Sequence, residues 1–352
     1  MTLVAMLTNA QIGEALLALE QNEPKPHRRE ALRRAARWAL TRWPVEAADV
    51  AAAGRGLSEL PSVGPWLARI ILRLLEEGAE PPDPPELRSG FLTLAEARAT
   101  LERNPEWRSA LRADLQMHTT YSDGKAVLRD MVGAAAGQGY EFIAITDHSK
   151  GLKIARGMDE ERLAEQGQDV ALVNEELQRD GLGLRVLHAI EMNLSPEGEG
   201  DMEPEALAPL DLVLGAFHSR LRVIEDQTER YVRALANPTV CVLAHPRGRR
   251  YGVRLGLSAD WATVCEAAAA FDKALEIDAF PDRQDLNVEI LELARDAGCR
   301  ISIGTDAHSV GELQHMDFGL AAAIRAGIPR QRILNFQPVE QVVRWARRIR
   351  SL

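Results

Sequence analysis

The chain has 352 residues, of which 46% are hydrophobic and 27% charged, a composition typical of a globular protein with a sizeable core. Its length predicts two domains, or one large barrel with an appendage. The net charge of −10 excludes a protein whose whole surface binds nucleic acid, although it is compatible with a local basic face.

Residues 1–78 are predicted to form a small helical domain. Apolar residues recur at helical spacing over 10–19 and 28–43, and Pro44 ends the second segment. The polar positions of this second segment are nearly all arginine, including Arg33 and Arg37, with Glu30 as the opposing acid. Such one-sided charge indicates either a solvated helix face or a surface that faces phosphate groups.

The segment 57–71 predicts two short helices joined by a tight turn. Gly64 comes close to the start of the second helix, where backbone N–H groups favour a phosphate. The segment resembles a helix-hairpin-helix module, whose usual Gly-(Ile/Val)-Gly turn contacts the nucleic-acid backbone without reading bases, and Ser62 stands where the first glycine is expected. The resemblance implies DNA contacts at this turn and on the arginine-rich helix, by Ser62, Gly64, Arg33 and Arg37. A purely structural helical hairpin is the alternative.

Residues 79–112 are predicted to be a proline-rich linker followed by a short helix. Pro81, Pro82, Pro84 and Pro85 are incompatible with a helix or a central strand, and Gly90 follows them. Helical spacing returns over 94–103, and a second domain is predicted over 113–352.

From residue 113 onward, short apolar runs alternate with helical segments. The runs predicted as strands are 113–117, 142–146, 184–190, 212–216, 240–244, 274–277 and 300–303. The helical segments between them include 128–138, 160–178, 262–271 and 287–297. This order predicts a parallel sheet, and seven such units are enough to close a barrel. We therefore expect an α/β protein: a seven-stranded (βα)7 distorted TIM-like barrel preceded by a small all-α domain.

Residue types that bind metals follow the predicted strands. They are Gln116, His118, Asp123, Asp147, His148, Glu191, His218, His245, Asp306 and His308. Five of the eight histidines fall at these strand ends, which gather on one face of a β/α barrel, and a random scatter rarely achieves that. Imidazole and carboxylate without thiolate suit zinc, manganese or iron better than calcium. Because one zinc uses only three or four ligands, the set predicts two or three divalent metal ions.

The strand ends offer no side-chain nucleophile, since there is no Gly-x-Ser-x-Gly turn and no cysteine at a strand end. Adjacent metals can instead convert water into hydroxide and clamp a phosphate ester. Several arginines follow His218 and His245, namely Arg220, Arg222, Arg247, Arg249, Arg250 and Arg254. Arginine binds phosphate bidentately, so these positions suit a phosphate-rich substrate, with a solvated surface loop as the alternative.

Residues 113–335 resemble a PHP (polymerase and histidinol phosphatase) domain, a seven-stranded metal-dependent phosphoesterase barrel. The motifs are His-Thr-Thr-Tyr-Ser-Asp-Gly (118–124), Ile-Thr-Asp-His-Ser (145–149), Glu191, Phe-His-Ser (217–219), Ala-His-Pro-Arg-Gly-Arg (244–249) and Gly-Thr-Asp-Ala-His-Ser (304–309). The stretch 275–286 is similar to the PHP domain at the C-terminus of bacterial family X DNA polymerases, and 1–78 resembles their N-terminal domain. No Gly-Gly-Ser loop or Asp-x-Asp pair lies between, so we infer that the chain is not a polymerase.

The resemblance implies three ligand sets. The first is His118, Glu191 and Asp306 with position 116; the second is Glu191, His218 and His245; the third is Asp123, His148 and His308. The family usually has histidine at position 116, and the neutral Gln116 is a poorer zinc ligand, so occupancy of the first set depends on it. Asp147 would orient its neighbours, and Arg220 and Arg247 would assist catalysis.

Three functions fit these features. The favoured one is a metal-dependent phosphoesterase that acts on DNA as a 3′-5′ exonuclease or in 3′-end processing during repair, through backbone contacts of low sequence specificity. The alternative is a small-molecule phosphatase of the histidinol-phosphatase type, acting on a phosphomonoester. A non-catalytic DNA-binding scaffold is the third.

The cysteines and the amino terminus predict a cytoplasmic protein. Cys241, Cys265 and Cys299 are far apart, which fits buried thiols in a reducing compartment better than disulfides or a zinc knuckle. No signal-peptide pattern is present, and no apolar run reaches the ~18–20 residues of a membrane span. We expect no membrane contact, and nothing indicates an obligate protein partner.

Overall fold

The computed structural model describes residues 7–78 and 80–351. The ends of three predicted ranges, at residues 1–6, Ala79 and Leu352, lie outside the described residues. The chain divides into two compact units, Met1–Asn104 and Pro105–Leu352. The segment predicted as linker, 79–112, therefore has residues in both units, and the domain limits at 78 and 113 stay a prediction.

The first unit is helical. Its helices are α1 (Asn9–Asn22), α2 (Pro26–Thr41), α3 (Ala47–Ala52), α4 (Pro65–Glu77) and α5 (Leu94–Glu102). α1 and α2 approach closely, since a Cβ atom on Gly13 would lie 3.3 Å from the carbonyl oxygen of Ala36. The core between the helices contains the fully buried side chains of Ile12, Trp43 and Ile71. Thr8 and Gln11 form a capping box that fixes the start of α1.

The second unit is built from seven strands and nine helices in the part of the chain that the structure describes. The strands are β1 (Ala113–Asp114), β2 (Phe142–Ile145), β3 (Arg185–Asn193), β4 (Leu212–Ala216), β5 (Val242–Ala244), β6 (Ala274–Asp278) and β7 (Arg300–Gly304). The helices are α6 (Glu106–Ala110), α7 (Leu128–Gly137), α8 (Glu160–Arg179), α9 (Pro204–Leu207), α10 (Thr228–Ala236), α11 (Trp261–Ala270), α12 (Val288–Ala297), α13 (Met316–Arg325) and α14 (Val339–Arg350).

The strands are all parallel and neighbour one another in sequence order from β1 to β7. The first and last strands approach each other, because the N–H of Leu115 donates to the oxygen of Ile303 and Met117 bridges Ala307. The sheet is thus a nearly closed barrel, and the predicted fold class is confirmed. β1 is shorter than predicted, and the residues after it bond individually, Leu115 with Ile303 of β7 and Met117 with Ala307.

The inside of the barrel is apolar at the amino ends of its strands. Ala113, Leu212 and Ala274 begin their strands and share one buried cluster with Val342 and Ala346 of α14. α14 therefore covers this end, and the polar chemistry is confined to the other. Within the described residues, no helix has the length and apolar character needed to cross a membrane. The three cysteines are buried, with free thiols.

Candidate metal centre

Glu191 lies at the middle of the predicted ligands. It belongs to β3, is fully buried, and its Oε1 lies 2.7 Å from Nε2 of His245 and 3.0 Å from Nε2 of His218. Its other oxygen, Oε2, lies 3.3 Å from Nε2 of His118 and 3.5 Å from Nδ1 of His148. One carboxylate thus faces histidines that follow β1, β2, β4 and β5.

Asp306 and Asp123 are the other two carboxylates of the cluster, and Asp123 contacts His308, the fifth strand-end histidine. Oδ1 of Asp306 lies 2.9 Å from Nε2 of His118. Oδ1 of Asp123 lies 3.3 Å from Nε2 of His308 and 3.6 Å from Nε2 of His148. The structure therefore brings all five strand-end histidines and three carboxylates together at the carboxyl end of the barrel.

The residues form three overlapping groups whose ligand atoms lie within 4.8 Å of one another: His118, Asp123, His148 and His308; His148, Glu191 and His218; and His118, Glu191 and Asp306. Several buried atoms here have no hydrogen-bond partner among the described residues, including both ring nitrogens of His118 and Oδ1 of Asp306. The 2.9 Å contact between His118 and Asp306 thus lacks hydrogen-bond geometry. Buried acceptors left without partners are costly, and a shared cation would satisfy the lone pairs of the carboxylate oxygen and of a neutral ring nitrogen.

The electrostatics favour ionised carboxylates, whereas burial lowers the pKa of His118 but is outweighed by Asp306 and Glu191, which raise it well above its usual value. Burial raises the pKa of Glu191, but His148 and His245 outweigh it and leave this pKa well below its usual range. Burial also opposes ionisation of Asp123, yet His308 and His148 lower its pKa to about 2. Burial lowers the pKa of His148 to about 3. At neutral pH the group therefore offers carboxylates and a neutral imidazole.

The backbone is strained at two of these positions. His245 has a φ of 27° and Asp306 a φ of 50°, both in the left-handed region that side chains rarely adopt. Each such residue costs about 1–3 kcal/mol, and the cost is typical of functional sites. The strain aims both side chains at Glu191 and His118.

Gln116 occupies the same pocket and faces Glu191 with its nitrogen. Its Nε2 donates to Oε2 of Glu191 over 3.0 Å, whereas Oε1 is buried without a partner among the described residues. Gly304 lies against it, because a Cβ atom there would come within 2.5 Å of Cβ of Gln116. The amide therefore holds Glu191 in this arrangement.

Asp147 lies behind the cluster and holds the turn that links two of its members. It accepts hydrogen bonds from the N–H and hydroxyl of Thr119, at 2.8 and 2.6 Å, and from those of Ser122, at 3.1 and 2.6 Å. Gln166 donates a fifth, at 2.7 Å. Thr119 and Ser122 lie between His118 and Asp123, so these hydrogen bonds fix the turn that joins the two.

The two arginines predicted to assist catalysis differ. Arg220 is exposed, and its side chain makes no hydrogen bond or ion pair within the described part of the chain. The guanidinium of Arg247 donates to the oxygen of Leu255 at 3.0 Å and to Oδ1 of Asn287 at 3.3 Å. Arg247 thus braces the loop after β5, which leaves Arg220 better placed to meet a substrate.

A partly buried cation beside the cluster, Arg283, was not among the predicted site residues. Arg283 places NH2 3.2 Å from Oδ2 of Asp306 and Nε 3.6 Å from Oδ2 of Asp278. Burial opposes its charge, but Asp306 and Asp278 outweigh burial and raise the pKa of Arg283. Glu276, also on β6, accepts from the N–H of His245 at 2.7 Å. The sequence contained a sign of these buried charges, since Glu276 and Asp278 alternate with apolar residues along β6.

The predicted DNA contacts lie on the helical unit. Ser62 has a φ of 65°, the left-handed backbone for which a glycine would be suited, and Gly64 is the N-cap of α4. Nε of Arg34 donates to Oγ of Ser62 at 2.9 Å. Arg33 and Arg37 are both exposed, but Arg33 is paired with Glu20 at 2.5 Å, which offsets its charge.

A nearly closed α/β barrel with histidines and carboxylates at the carboxyl ends of its strands, and arginines beside them, defines a metal-dependent phosphoesterase. The family model described as the PHP domain matches residues 114–305, more than half of the chain. The chain belongs to the PHP family and is a phosphoric ester hydrolase of that family.

Curated relatives include proteins of two kinds. The chain is 36% identical over 239 residues to the DNA polymerase/3′-5′ exonuclease PolX of Bacillus subtilis, a match that covers 68% of this chain and 41% of that protein. It is 28% identical over 236 residues to "Probable phosphatase YcdX" of Escherichia coli K12, covering 64% of this chain and 90% of that protein. The chain thus spans less than half of PolX and nearly all of YcdX.

Among solved structures, the histidinol phosphate phosphatase of Lactococcus lactis, solved with zinc, L-histidinol and phosphate, aligns with a TM-score of 0.48 at 18% identity. The alignment covers 62% of this chain and 94% of that one.

Proposed function

We propose that the protein is a metal-dependent phosphoesterase that acts on DNA, as a 3′-5′ exonuclease or in 3′-end processing. The observation that carries this proposal is a basic rim made of Arg220, Arg222, Arg250 and Arg254, on the loops after β4 and β5 beside the ligand cluster. Burial lowers the pKa of Arg254, and the nearby charges of Arg283, Arg250 and Arg222 lower it further. Arginines this close repel one another, and a bound polyanion would relieve that repulsion.

The rim suits a substrate with several phosphates better than one with a single phosphate. Arg250 has a partial counterion in Asp282, 3.5 Å away, whereas the partner of Arg222 among the described residues is the carbonyl oxygen of Val253, at 3.5 Å. A nucleic-acid strand carries a charge on every linkage, so it can neutralise the whole rim. A small phosphomonoester would engage one or two of these groups.

Two or three divalent ions, of zinc, manganese or iron, would be held in the three sets that the family resemblance implies, although the compact group around His218 contains His148 in place of His245. Glu191 would be shared between the first and second sets, which agrees with its contacts to histidines through both oxygens. When bound, such ions would acidify water to hydroxide and neutralise the phosphate. Asp147 would keep His118 and Asp123 in place, and Arg220 would hold a non-bridging phosphate oxygen.

The helical unit supports a DNA substrate. Its hairpin presents the N-terminus of α4 behind Gly64, where a Cβ atom would meet nothing within 4 Å, so a phosphate could approach the backbone. The name of the relative from Bacillus subtilis includes a 3′-5′ exonuclease activity. Contacts of this kind read no bases and give low sequence specificity.

A small-molecule phosphatase is the second candidate. It is favoured by the match to YcdX, which covers 90% of a protein named as a probable phosphatase. In that case the barrel would act on phosphomonoesters, and the helical unit would have no part in catalysis.

A nuclease assay separates the two candidates. The purified protein with Mn²⁺ is expected to shorten 5′-labelled single-stranded and gapped DNA from the 3′ end. Arg220→Ala should slow this reaction by about three- to tenfold at unchanged thermal stability, since one phosphate contact is lost. Arg179→Ala serves as the control, because Arg179 is an exposed arginine at the carboxyl end of α8.

Intact DNA together with release of phosphate from phosphomonoesters would favour the second candidate. If neither substrate reacts and the protein holds fewer than two metal ions per chain, the non-catalytic DNA-binding scaffold is the hypothesis that remains.

A further inference from the structure

Two isoleucines are far more exposed than any other large hydrophobic side chain that the structure describes. Ile154 is 92% exposed and Ile224 88%, whereas the next, Leu182, is 51% exposed. Ile154 lies on the loop after β2, beyond His148, and Ile224 lies on the loop after β4, beyond His218. Both therefore stand at the end of the barrel that carries the ligand cluster.

The loop that carries Ile154 is held tightly at its base. The N–H of Met158 donates to the oxygen of His148 at 2.7 Å, and Oγ of Ser149 donates to Asp201 at 2.7 Å. Gly157 is required for this closure, since a Cβ atom there would lie 1.8 Å from the oxygen of Ser149. Ile154 is the middle residue of a 3-10 turn at the tip. The structure thus presents this side chain to solvent in a fixed position.

The loop that carries Ile224 is anchored on both sides. Before it, Arg230 donates to the oxygen of Ser219 at 3.0 Å and lies over the ring of Phe217, 4.0 Å from its centre. After it, the N–H of Gln227 donates to the oxygen of Ser258 at 2.8 Å. Ile224 lies between these anchors.

Both isoleucines have cationic neighbours. Lys153 and Arg156 flank Ile154, are exposed, and make no side-chain hydrogen bond or ion pair within the described residues. Arg220 and Arg222 of the basic rim precede Ile224, and two acids follow it, the exposed Glu225 and Asp226, of which Asp226 is engaged by Thr228. An apolar tip beside free cations matches a nucleic-acid strand, in which an apolar base alternates with an anionic phosphate.

The spacing of the loops fits the same ligand. β2 and β4 are separated by β3, and neighbouring strands lie about 4.8 Å apart, so the two loops rise from points roughly 10 Å apart. Stacked nucleotides in one strand of a duplex rise about 3.4 Å each, so this distance corresponds to roughly three of them.

We propose that Ile154 and Ile224 contact the bases beside the scissile linkage and separate them from their neighbours, so that the end of a DNA strand enters the metal centre unstacked. Aliphatic side chains act in this way in other nucleic-acid complexes, where they insert between base steps. The inference rests on the proposed function, because it takes DNA as the substrate. It adds that a paired end is opened by the protein itself.

The test uses a duplex with 2-aminopurine next to the 3′ end, whose fluorescence rises when the base is unstacked. Terminal phosphorothioate linkages slow hydrolysis, and the fluorescence is read immediately after mixing, before the DNA is cut. Wild-type protein is expected to raise the fluorescence, and the double variant Ile154→Ser, Ile224→Ser should not. Leu182→Ser, on the turn before β3 at the opposite end of the barrel, should behave as wild type.

Hydrolysis gives a second readout on unmodified DNA. The double variant should process duplex ends at least about tenfold more slowly, since unstacking a base step costs a few kcal/mol and each 1.4 kcal/mol is tenfold. Its rate on single-stranded DNA should fall by a smaller factor than its rate on duplex ends, because the base contacts are lost but no paired bases need opening there.

The outcomes separate this inference from the proposed function. A wild-type protein that neither binds nor cleaves DNA would overturn both. A wild-type protein that cleaves DNA, with a double variant that keeps the fluorescence rise and the duplex rate, would overturn the inference alone. If the double variant differs from wild type only in its mass by light scattering, the isoleucines form a protein interface and the proposal is wrong.

Discussion

Nε2 of Gln116 donates a hydrogen bond to Oε2 of Glu191 over 3.0 Å, and both side chains are fully buried. The same oxygen lies 3.3 Å from Nε2 of His118. A cation held between Glu191 and His118 would therefore compete with the amide for that oxygen. We therefore propose that position 116 affects how tightly the first ligand set binds its ion.

Gln116→His should strengthen metal binding, because an imidazole supplies a ring nitrogen where the amide supplies a donor N–H. We expect at least about tenfold tighter binding of the most weakly held ion, the size of effect seen when groups around a metal are changed. Metal content after graded competition with a chelator measures this. Gln337→His, near the amino ends of the strands, is the control. Unchanged affinity would show that position 116 takes no part in metal binding.

Asp147→Ala should loosen the turn between His118 and Asp123. It removes the acceptor of five hydrogen bonds in a fully buried place. Since each unsatisfied buried donor costs about 1–3 kcal/mol and the turn can relax, we expect a loss of about 3 kcal/mol in the free energy of unfolding by urea, together with weaker metal binding.

Asp159→Ala is a matched control, because this exposed aspartate only caps α8 through the N–H of Arg162 at 2.9 Å. It should cost about 1 kcal/mol and leave metal affinity unchanged. If Asp147→Ala behaves like this control, the proposed orienting role of Asp147 is wrong.

The barrel and the position of the cluster were predictable because each depends on a local pattern. An apolar run that ends in His, Asp or Glu recurs at successive strands, and parallel strands place their carboxyl ends on one face. Histidines such as His148 and His245 needed only this rule to be placed beside Glu191. Their contacts follow from topology, which the alternation of elements specifies.

Contacts between loops were not predictable in the same way. Arg283 reaches Asp306 only because β6 and β7 pair with Asp278 opposite Gly304, and the sequence does not state that register. Arg247 follows a histidine just as Arg220 does, yet the fold of its loop turns it towards Leu255 and Asn287. The exposure of a side chain was not predictable either, since nothing in the sequence distinguishes Ile154 from a core isoleucine.

Arg283→Met should destabilise the metal-free protein by leaving Asp278 and Asp306 without their shared cation. Breaking a buried ion pair costs about 3–5 kcal/mol, and partial exposure of this guanidinium reduces the expected loss to about 2–4 kcal/mol. Adding Asp278→Asn removes one of the two carboxylates, so the double variant should recover part of this loss. Urea unfolding of the wild type, of each single variant and of the double variant measures the coupling energy between the two residues. Strictly additive effects would show that Arg283 and Asp278 are not coupled.

Lys273 should make stability rise with pH in alkaline solution. Burial lowers its pKa to about 8 from 10.5, and its Nζ donates to the oxygens of Asn237 and Val240. Between these two values the unfolded chain binds a proton that the folded protein has released, so the free energy of unfolding increases with pH. Relative to Lys273→Met, the wild type should gain up to about 3 kcal/mol from pH 8 to 10.5. Lys25→Met, at an exposed lysine, should change little, and parallel curves for wild type and Lys273→Met would contradict the prediction.

Ser62→Gly should improve DNA binding by the helical hairpin. The φ of 65° at Ser62 costs roughly 1 kcal/mol for a residue with a Cβ atom, and glycine removes that strain. The substitution also releases Arg34 from Oγ of Ser62, which leaves Glu30, 3.6 Å away and exposed, as its partner in an ion pair that DNA would compete with. We expect about threefold tighter binding to a DNA duplex, and a salt dependence steeper by about one unit in log K against log salt, as for one more phosphate contact. Ser58→Gly, on the neighbouring 3-10 turn, should show neither change. An identical affinity and salt slope for Ser62→Gly would mean that this turn does not face the DNA backbone, and that Arg34 has only a structural part in the hairpin.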